Sequence, residues 1–174
     1  MRMRVNYIKC SFKTEPPDLC LVEKIFAKKR GLRLATFPEH NARVKVSLMG
    51  KFLTHVNLTG GRSLHELKSF AIFYCQKVGT ELTEPVRIDS ISASERIEKL
   101  KVRGTEGFTV RKKLTEAGFT IKDNIYFPGC VLRNVKISER GTCVYFRTSG
   151  AVNYCGFKRY EDLISMHNAI TESI

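Results

Sequence analysis

The sequence contains no C-x-x-C pair, and none of its four histidines stands at zinc-ligand spacing beside a cysteine. That removes the usual structural zinc modules. It has no glycine-rich loop of the P-loop type, and Gly60-Gly61 reads as a turn before a helix. Its 17 carboxylates are scattered, most of them as helix-surface partners of Lys and Arg. A nuclease or glycosylase needs carboxylates, or a lysine with an aspartate, gathered in a cleft. No catalytic residue, metal, cofactor or small-molecule substrate is therefore expected. No apolar run approaches the length that spans a bilayer. The opening Met1-Arg2-Met3-Arg4-Val5 lacks an apolar core and a small-residue cleavage site, so no signal peptide is expected.

What is present is positive charge. Thirty Lys and Arg against 17 acids leave a formal charge of +13, which favours an acidic partner: nucleic acid first, an anionic membrane surface second. The 174 residues suffice for one sizeable core or two small fused halves. The six cysteines read as reduced, mostly buried small hydrophobes of an intracellular protein.

Val5 to Phe12 alternates like a strand. Pro16-Pro17-Asp18 then signals a helix start, Leu19, Val22, Ile25 and Phe26 follow at helical spacing, and Lys28-Lys29-Arg30-Gly31 reads as its end. Leu32 to Leu58 reads as an antiparallel meander, punctuated at Pro38, Gly50 and Gly60-Gly61. Ser63-Leu64-His65-Glu66 has the form of a capping box, and Leu64, Leu67, Phe70, Ala71 and Tyr74 line one face of the helix it opens. The order then repeats: a strand over Val86 to Ala93, a basic helix over Val110 to Gly118, a meander over Tyr126 to Tyr154 and an amphipathic helix over Tyr160 to Ile170.

Five landmarks recur in the same order. Val5-x-x-Ile8 returns as Ile88-x-x-Ile91, 83 positions on. Phe37-Pro38 returns as Phe127-Pro128 and Arg43 as Arg133, 90 positions on. Thr59-Gly60-Gly61-Arg62 returns as Cys155-Gly156-Phe157-Lys158 and Leu67 as Leu163, 96 positions on. Such a duplication predicts repeats over 1–83 and 84–174. Paired edge to edge, they would make one twisted antiparallel sheet, helices on one face and the concave face bare.

Three stretches carry a resemblance to the TATA-box-binding protein family over nearly the whole chain. Phe127-Pro128-Gly129-Cys130-Val131-Leu132-Arg133 resembles the family's F-P-G-hydrophobic-hydrophobic-aromatic-R strand. Val144-Tyr145-Phe146-Arg147-Thr148-Ser149-Gly150 is similar to its I-F-x-S-G-K hairpin. Tyr154-Cys155-Gly156-Phe157-Lys158 and Leu58-Thr59-Gly60-Gly61-Arg62 both resemble L-T-G-A-K.

The resemblance implies an α+β, TBP-like saddle: two pseudo-symmetric repeats forming a curved ten-stranded antiparallel sheet with four helices on the convex face. It implies a transcription initiation factor of the nucleus that binds A·T-rich promoter DNA through the minor groove, bends it, and recruits factors IIB and IIA. The runner-up is an accessory nucleic-acid-binding module, or a non-specific architectural protein, on the same fold. Bending would rest on apolar wedges between base steps, carried over to Phe37, Phe52, Phe127 and Phe146. Arg43, Arg133, Arg62 and Lys158 would hold phosphates. Tyr7, Ser90, Thr59 and Cys155 would meet the groove floor; Tyr7 and Ser90 stand where the family has asparagine, and Cys155 where it has threonine. These exchanges predict a blunted A·T preference with bending retained. The stretch Asp123-Asn124-Ile125-Tyr126 holds one carboxylate where the family has several for factor IIB, which puts that contact in question.

Overall fold

Ten strands and five α-helices lie among the described residues of the computed structural model, which are 3–102, 106–123 and 129–174. The chain divides into two compact units, Tyr7–Asp89 and Met1–Asn6 with Ser90–Ile174. The boundary differs from a cut after residue 83 because the first strand and the sixth each contribute to both units.

The first unit is built on β1 (Arg4–Lys13), α1 (Leu19–Ile25), β2 (Ala27–Lys29), β3 (Leu32–Phe37), α2 (Pro38–Asn41), β4 (Ala42–Met49), β5 (His55–Gly61) and α3 (Leu64–Val78). Its strands run antiparallel in the order β2-β3-β4-β5-β1. Asp18 caps α1, its carboxylate accepting from the amides of Cys20 at 2.8 Å and Leu21 at 3.4 Å. The helix ends at Ile25, earlier than the sequence suggests, because Phe26 turns into the core against Phe37 and Tyr74. Lys28 and Lys29 then belong to β2. Arg30 and Gly31, with φ of +48° and +79°, make the tight turn into β3; both central residues of a type I′ hairpin turn need positive φ. Cations and a glycine after an amphipathic run look like a helix end, and here they are a hairpin.

The predicted capping box of α3 forms. Ser63 Oγ accepts from the Glu66 amide at 3.1 Å. Glu66 reaches back one residue further than the usual pattern, to the Arg62 amide at 2.6 Å, and also accepts from Asn41. Burial raises the Glu66 pKa, but these hydrogen bonds outweigh it and hold the group below the ordinary glutamate range. Leu67, Phe70, Ala71, Tyr74 and Val78 are fully buried against the sheet. Where a plain turn was expected after Phe37, the structure has the short helix α2.

The second unit has β6 (Arg87–Arg96), a single 3-10 turn (Glu98–Leu100), α4 (Glu106–Glu116), β7 (Thr120–Asp123), β8 (Cys130–Arg133), β9 (Thr142–Phe146), β10 (Ala151–Phe157) and α5 (Tyr160–Glu172). Its strand order, β6-β10-β9-β8-β7, repeats that of the first unit with β6 in the place of β1. The edge strand β7 was not foreseen; its counterpart is β2. Leu163, Met166 and Ile170 of α5 are fully buried beside Val152 and Tyr154 of β10. Beneath this helix the buried Glu95 carboxylate accepts from the Tyr154 hydroxyl and lies 2.6 Å from His167 Nδ1.

The strands of each unit thus have an apolar face under that unit's helices. The alternate residues of each strand point to a second face that no helix of the same unit covers among the described residues.

Candidate nucleic-acid interface

The uncovered faces follow from strand register, because residues directly opposite across a ladder share a face. In the first unit one row runs Lys9, Thr59, Lys45, Thr36. The next runs Ser11, Asn57, Ser47, Leu34, Ala27. A third runs Lys13, His55, Met49. In the second unit the corresponding rows are Cys155 and Thr142; then Ser94, Asn153, Val144, Val131, Lys122; then Arg96, Ala151, Phe146. Residues between these on the strands, such as Val46, Leu48, Val56, Cys143, Tyr145 and Val152, are buried under the helices.

The two faces share a plan and differ in chemistry. An asparagine stands at the centre of each, Asn57 and Asn153, both three residues before the glycine of the L-T-G-like turn. Around Asn153 the face is apolar, with Val144, Val131 and the half-buried Phe146. Around Asn57 it carries lysines and hydroxyls.

Gly60 and Gly156 fix the end of each face. With φ of +120°, a Cβ on Gly60 would stand 2.0 Å from the Arg43 carbonyl oxygen; with φ of +81°, a Cβ on Gly156 would stand 2.9 Å from that of Arg140. Only glycine accepts both the dihedral and the approach. At Gly60 the chain makes a bulge, so β1 steps from Ile8 opposite Gly61 to Lys9 opposite Thr59. The matching irregularity in β10 falls between Tyr154 and Phe157. Thr59 and Cys155 are therefore equivalent, and both lie on the uncovered faces. Leu67 and Leu163, matched at the same spacing, are both fully buried.

Among the described residues the spacing of 90 does not relate the two units. The rows make Leu34 the counterpart of Val131 and Met49 the counterpart of Phe146. By the same spacing Phe37 corresponds to Asn134. Phe37 closes β3 and is 3% exposed, packed edge-on against Phe26, Phe70 and Phe73 at centroid distances of 6.1, 5.9 and 5.6 Å. It is a core residue and not a wedge. Arg43 likewise sits on β4, whereas Arg133 ends β8, the counterpart of β3; Thr36 takes the Arg133 position. Arg43 and Arg133 are both exposed but are not equivalents.

Phe52 is 66% exposed at the tip of the β4–β5 hairpin, with Lys51 Nζ 5.7 Å from its ring centroid. Phe127 lies outside the described residues. Tyr7, 41% exposed, and the half-buried Ser90 each precede a fully buried isoleucine, Ile8 and Ile91. Arg62 and Lys158 are exposed at the strand-to-helix turns. The sequence pattern missed Met49, 47% exposed, and Leu32, 38% exposed, which is next in register beside it.

At the outer edge of the second unit, Asp123 bonds Arg111 at 2.7 Å and Arg147 at 2.5 Å, and accepts from the Cys130 thiol. The Arg111 and Cys130 hydrogen bonds hold its carboxyl below the ordinary aspartate range. All six cysteines are free thiols; only Cys20 and Cys155 are exposed. Among the described residues no group of three His, Cys, Asp or Glu side chains is placed to hold a metal, and no helix is long and apolar enough to cross a membrane.

A strand-helix-meander-helix unit written twice, with one helix-free face per unit, defines an α+β fold of the TBP type. Neither protein-family models nor curated proteins give a match to the sequence. Among solved structures the chain is similar to Methanococcus jannaschii TBP, at 22% identity and a TM-score of 0.65 over 100% of both chains. The protein is thus a divergent TBP-like core domain in fold.

Proposed function

We propose that the helix-free faces bind double-stranded DNA along the minor groove and bend it, and that the protein acts as a transcription initiation factor of relaxed sequence specificity. The observation that supports this best is the pairing, in each face, of a central asparagine with exposed or half-buried apolar side chains near one end of the strands. An amide can meet the acceptors of the groove floor, and apolar side chains can enter between base steps. In the second unit the wedge is Phe146, with Phe127 its expected companion. In the first unit Phe52 keeps its expected role, and Met49 and Leu32 take the one first assigned to Phe37. Arg43, Arg62, Arg133 and Lys158 remain the proposed phosphate contacts.

Lys9 and Lys45 flank Thr59 in the middle of the first face. Cations there strengthen sequence-independent attraction and favour loosely specific binding, the architectural variant of the same reading. Asp123, the one carboxylate in the stretch that would meet a factor IIB, is already paired to Arg111 and Arg147. A IIB-like partner would therefore need complementary changes, and a IIA-like partner remains part of the proposal. The site of action is the promoter, in a nucleated cell the nucleus.

A charge placed on the face tests the assignment. Val144→Asp should abolish duplex binding with its circular dichroism and melting point nearly unchanged. Thr115→Asp, on α4, should bind within about twofold of wild type, the usual insensitivity of a remote surface site. Equal binding by both variants would remove the face from the DNA-binding surface.

A further inference from the structure

The two units each hold one side-chain pair that the sequence repeat makes equivalent. In the second unit Ser94 Oγ donates to Asn6 Oδ1 at 3.0 Å. In the first unit Ser11 Oγ donates to Asp89 Oδ1 at 2.9 Å. Both members are shifted by 83 residues, the spacing that also relates Ile8 to Ile91. Ser94 and Ser11 belong to the uncovered faces, opposite Asn153 and Asn57 respectively. The carboxylate of Asp89 and the amide of Asn6 are therefore held at corresponding places on those faces.

They do not offer the same chemistry. Asn6 spends its carbonyl oxygen on Ser94 and keeps two N–H donors. An ionised aspartate has no donor at all. After accepting from Ser11, Asp89 keeps acceptor capacity only. The minor-groove floor presents adenine N3 and thymine O2 as acceptors, and its sole donor is the exocyclic N2 amino group of guanine. Asn6 matches an A·T pair. Asp89 would face acceptors with lone pairs at an A·T pair, and finds a donor only at a G·C pair. Around it the face carries Lys9, Lys45, Ser47, Asn57 and Thr59, and the charge of Lys13 is balanced by Glu84 at 2.5 Å. Asp89 is thus a negative group on a face otherwise suited to a polyanion, a placement that a specific donor would explain.

We infer that Asp89 is a specificity-determining residue that accepts a hydrogen bond from the guanine N2 amino group. One half of the bound DNA is then read as A·T and the other is biased toward a G·C pair. The inference rests on the proposed minor-groove function.

The experiment uses the full chain and short duplexes in which one G·C pair is moved through an otherwise A·T site. In a parallel set inosine replaces guanine, deleting only the N2 amino group. Wild type should bind one G·C position about five- to tenfold more tightly than its inosine counterpart, the low end of the range for a base-edge contact. Asp89→Asn should erase that difference, and Asn6→Asp should create a second preferred G·C position in the other half. Equal affinity for guanine and inosine at every position, with binding itself intact, would overturn the inference and leave the proposed function standing. Failure to bind any duplex would overturn both.

Discussion

Phe37→Ala separates a core residue from a DNA wedge. The ring is 3% exposed and has three aromatic neighbours, Phe26, Phe70 and Phe73, which belong to the end of α1 and to α3. Truncating a buried phenylalanine costs about 3–5 kcal/mol, which already includes the loss of its edge-on ring contacts. A domain of this size is stable by ~5–15 kcal/mol. The substitution therefore removes about a fifth of the margin or more. At roughly 2–4 °C per kcal/mol the melting point falls by about 10 °C. Urea unfolding followed by circular dichroism reads the same loss as a lowered midpoint with an unchanged slope. Phe52→Ala is the matched control: its ring is 66% exposed, so its stability should stay within about 0.5 kcal/mol of wild type. If Phe37→Ala melts like wild type and loses only DNA bending, the core assignment fails and the ninety-residue repeat is restored.

Three other expectations follow from the same structure. Glu95→Ala orphans the buried Tyr154 hydroxyl and His167 Nδ1, and should cost about 1–3 kcal/mol in urea unfolding; no loss would mean that water replaces the carboxylate. Cys155 and Cys20 should alkylate quickly in the native protein, whereas burial pushes the Cys10 thiol up to about 12 and Cys75 up to about 11, so both should wait for unfolding. Bound duplex should protect Cys155 and leave Cys20 reactive, and equal protection would count against the assigned face. Asp123 is held below its ordinary value by Arg111 and Cys130, so its contribution is complete above the normal aspartate range and is lost as pH falls through the lowered value. Hydrogen exchange in α4 and β7 should accelerate in that acid window, and Asp123→Asn should remove the pH dependence.

What could be read from the sequence divides by the kind of signal. The Thr59-Gly60 and Cys155-Gly156 turns, and the helices after them, were legible because a glycine forced to positive φ leaves a fixed mark beside a buried leucine at constant spacing. The α3 cap was legible because Ser63 and Glu66 act locally. Phe37 was misread because Phe-Pro also closes a strand before a short helix, where the ring turns into the core. Proline tolerates the first turn of a helix as readily as a bend. Strand β2 was hidden because Lys28-Lys29-Arg30-Gly31 satisfies helix-end chemistry as well as a hairpin turn. Met49, Leu34 and Val131 were invisible because a residue's face is set by cross-strand register, and a one-residue slip reverses it. The pairs of Asn6 with Ser94 and Ser11 with Asp89 join residues 88 and 78 positions apart, beyond any local pattern.

The central claim is that this chain bends the DNA it binds, and fluorescence energy transfer between the ends of a short labelled duplex measures it most directly. Wild type should raise the transfer efficiency on A·T-rich duplexes at low salt, and Phe146→Ala combined with Met49→Ala should bind while leaving the duplex straight. Salt-dependent binding by wild type without any change in transfer would contradict the account and favour a module that holds nucleic acid without deforming it.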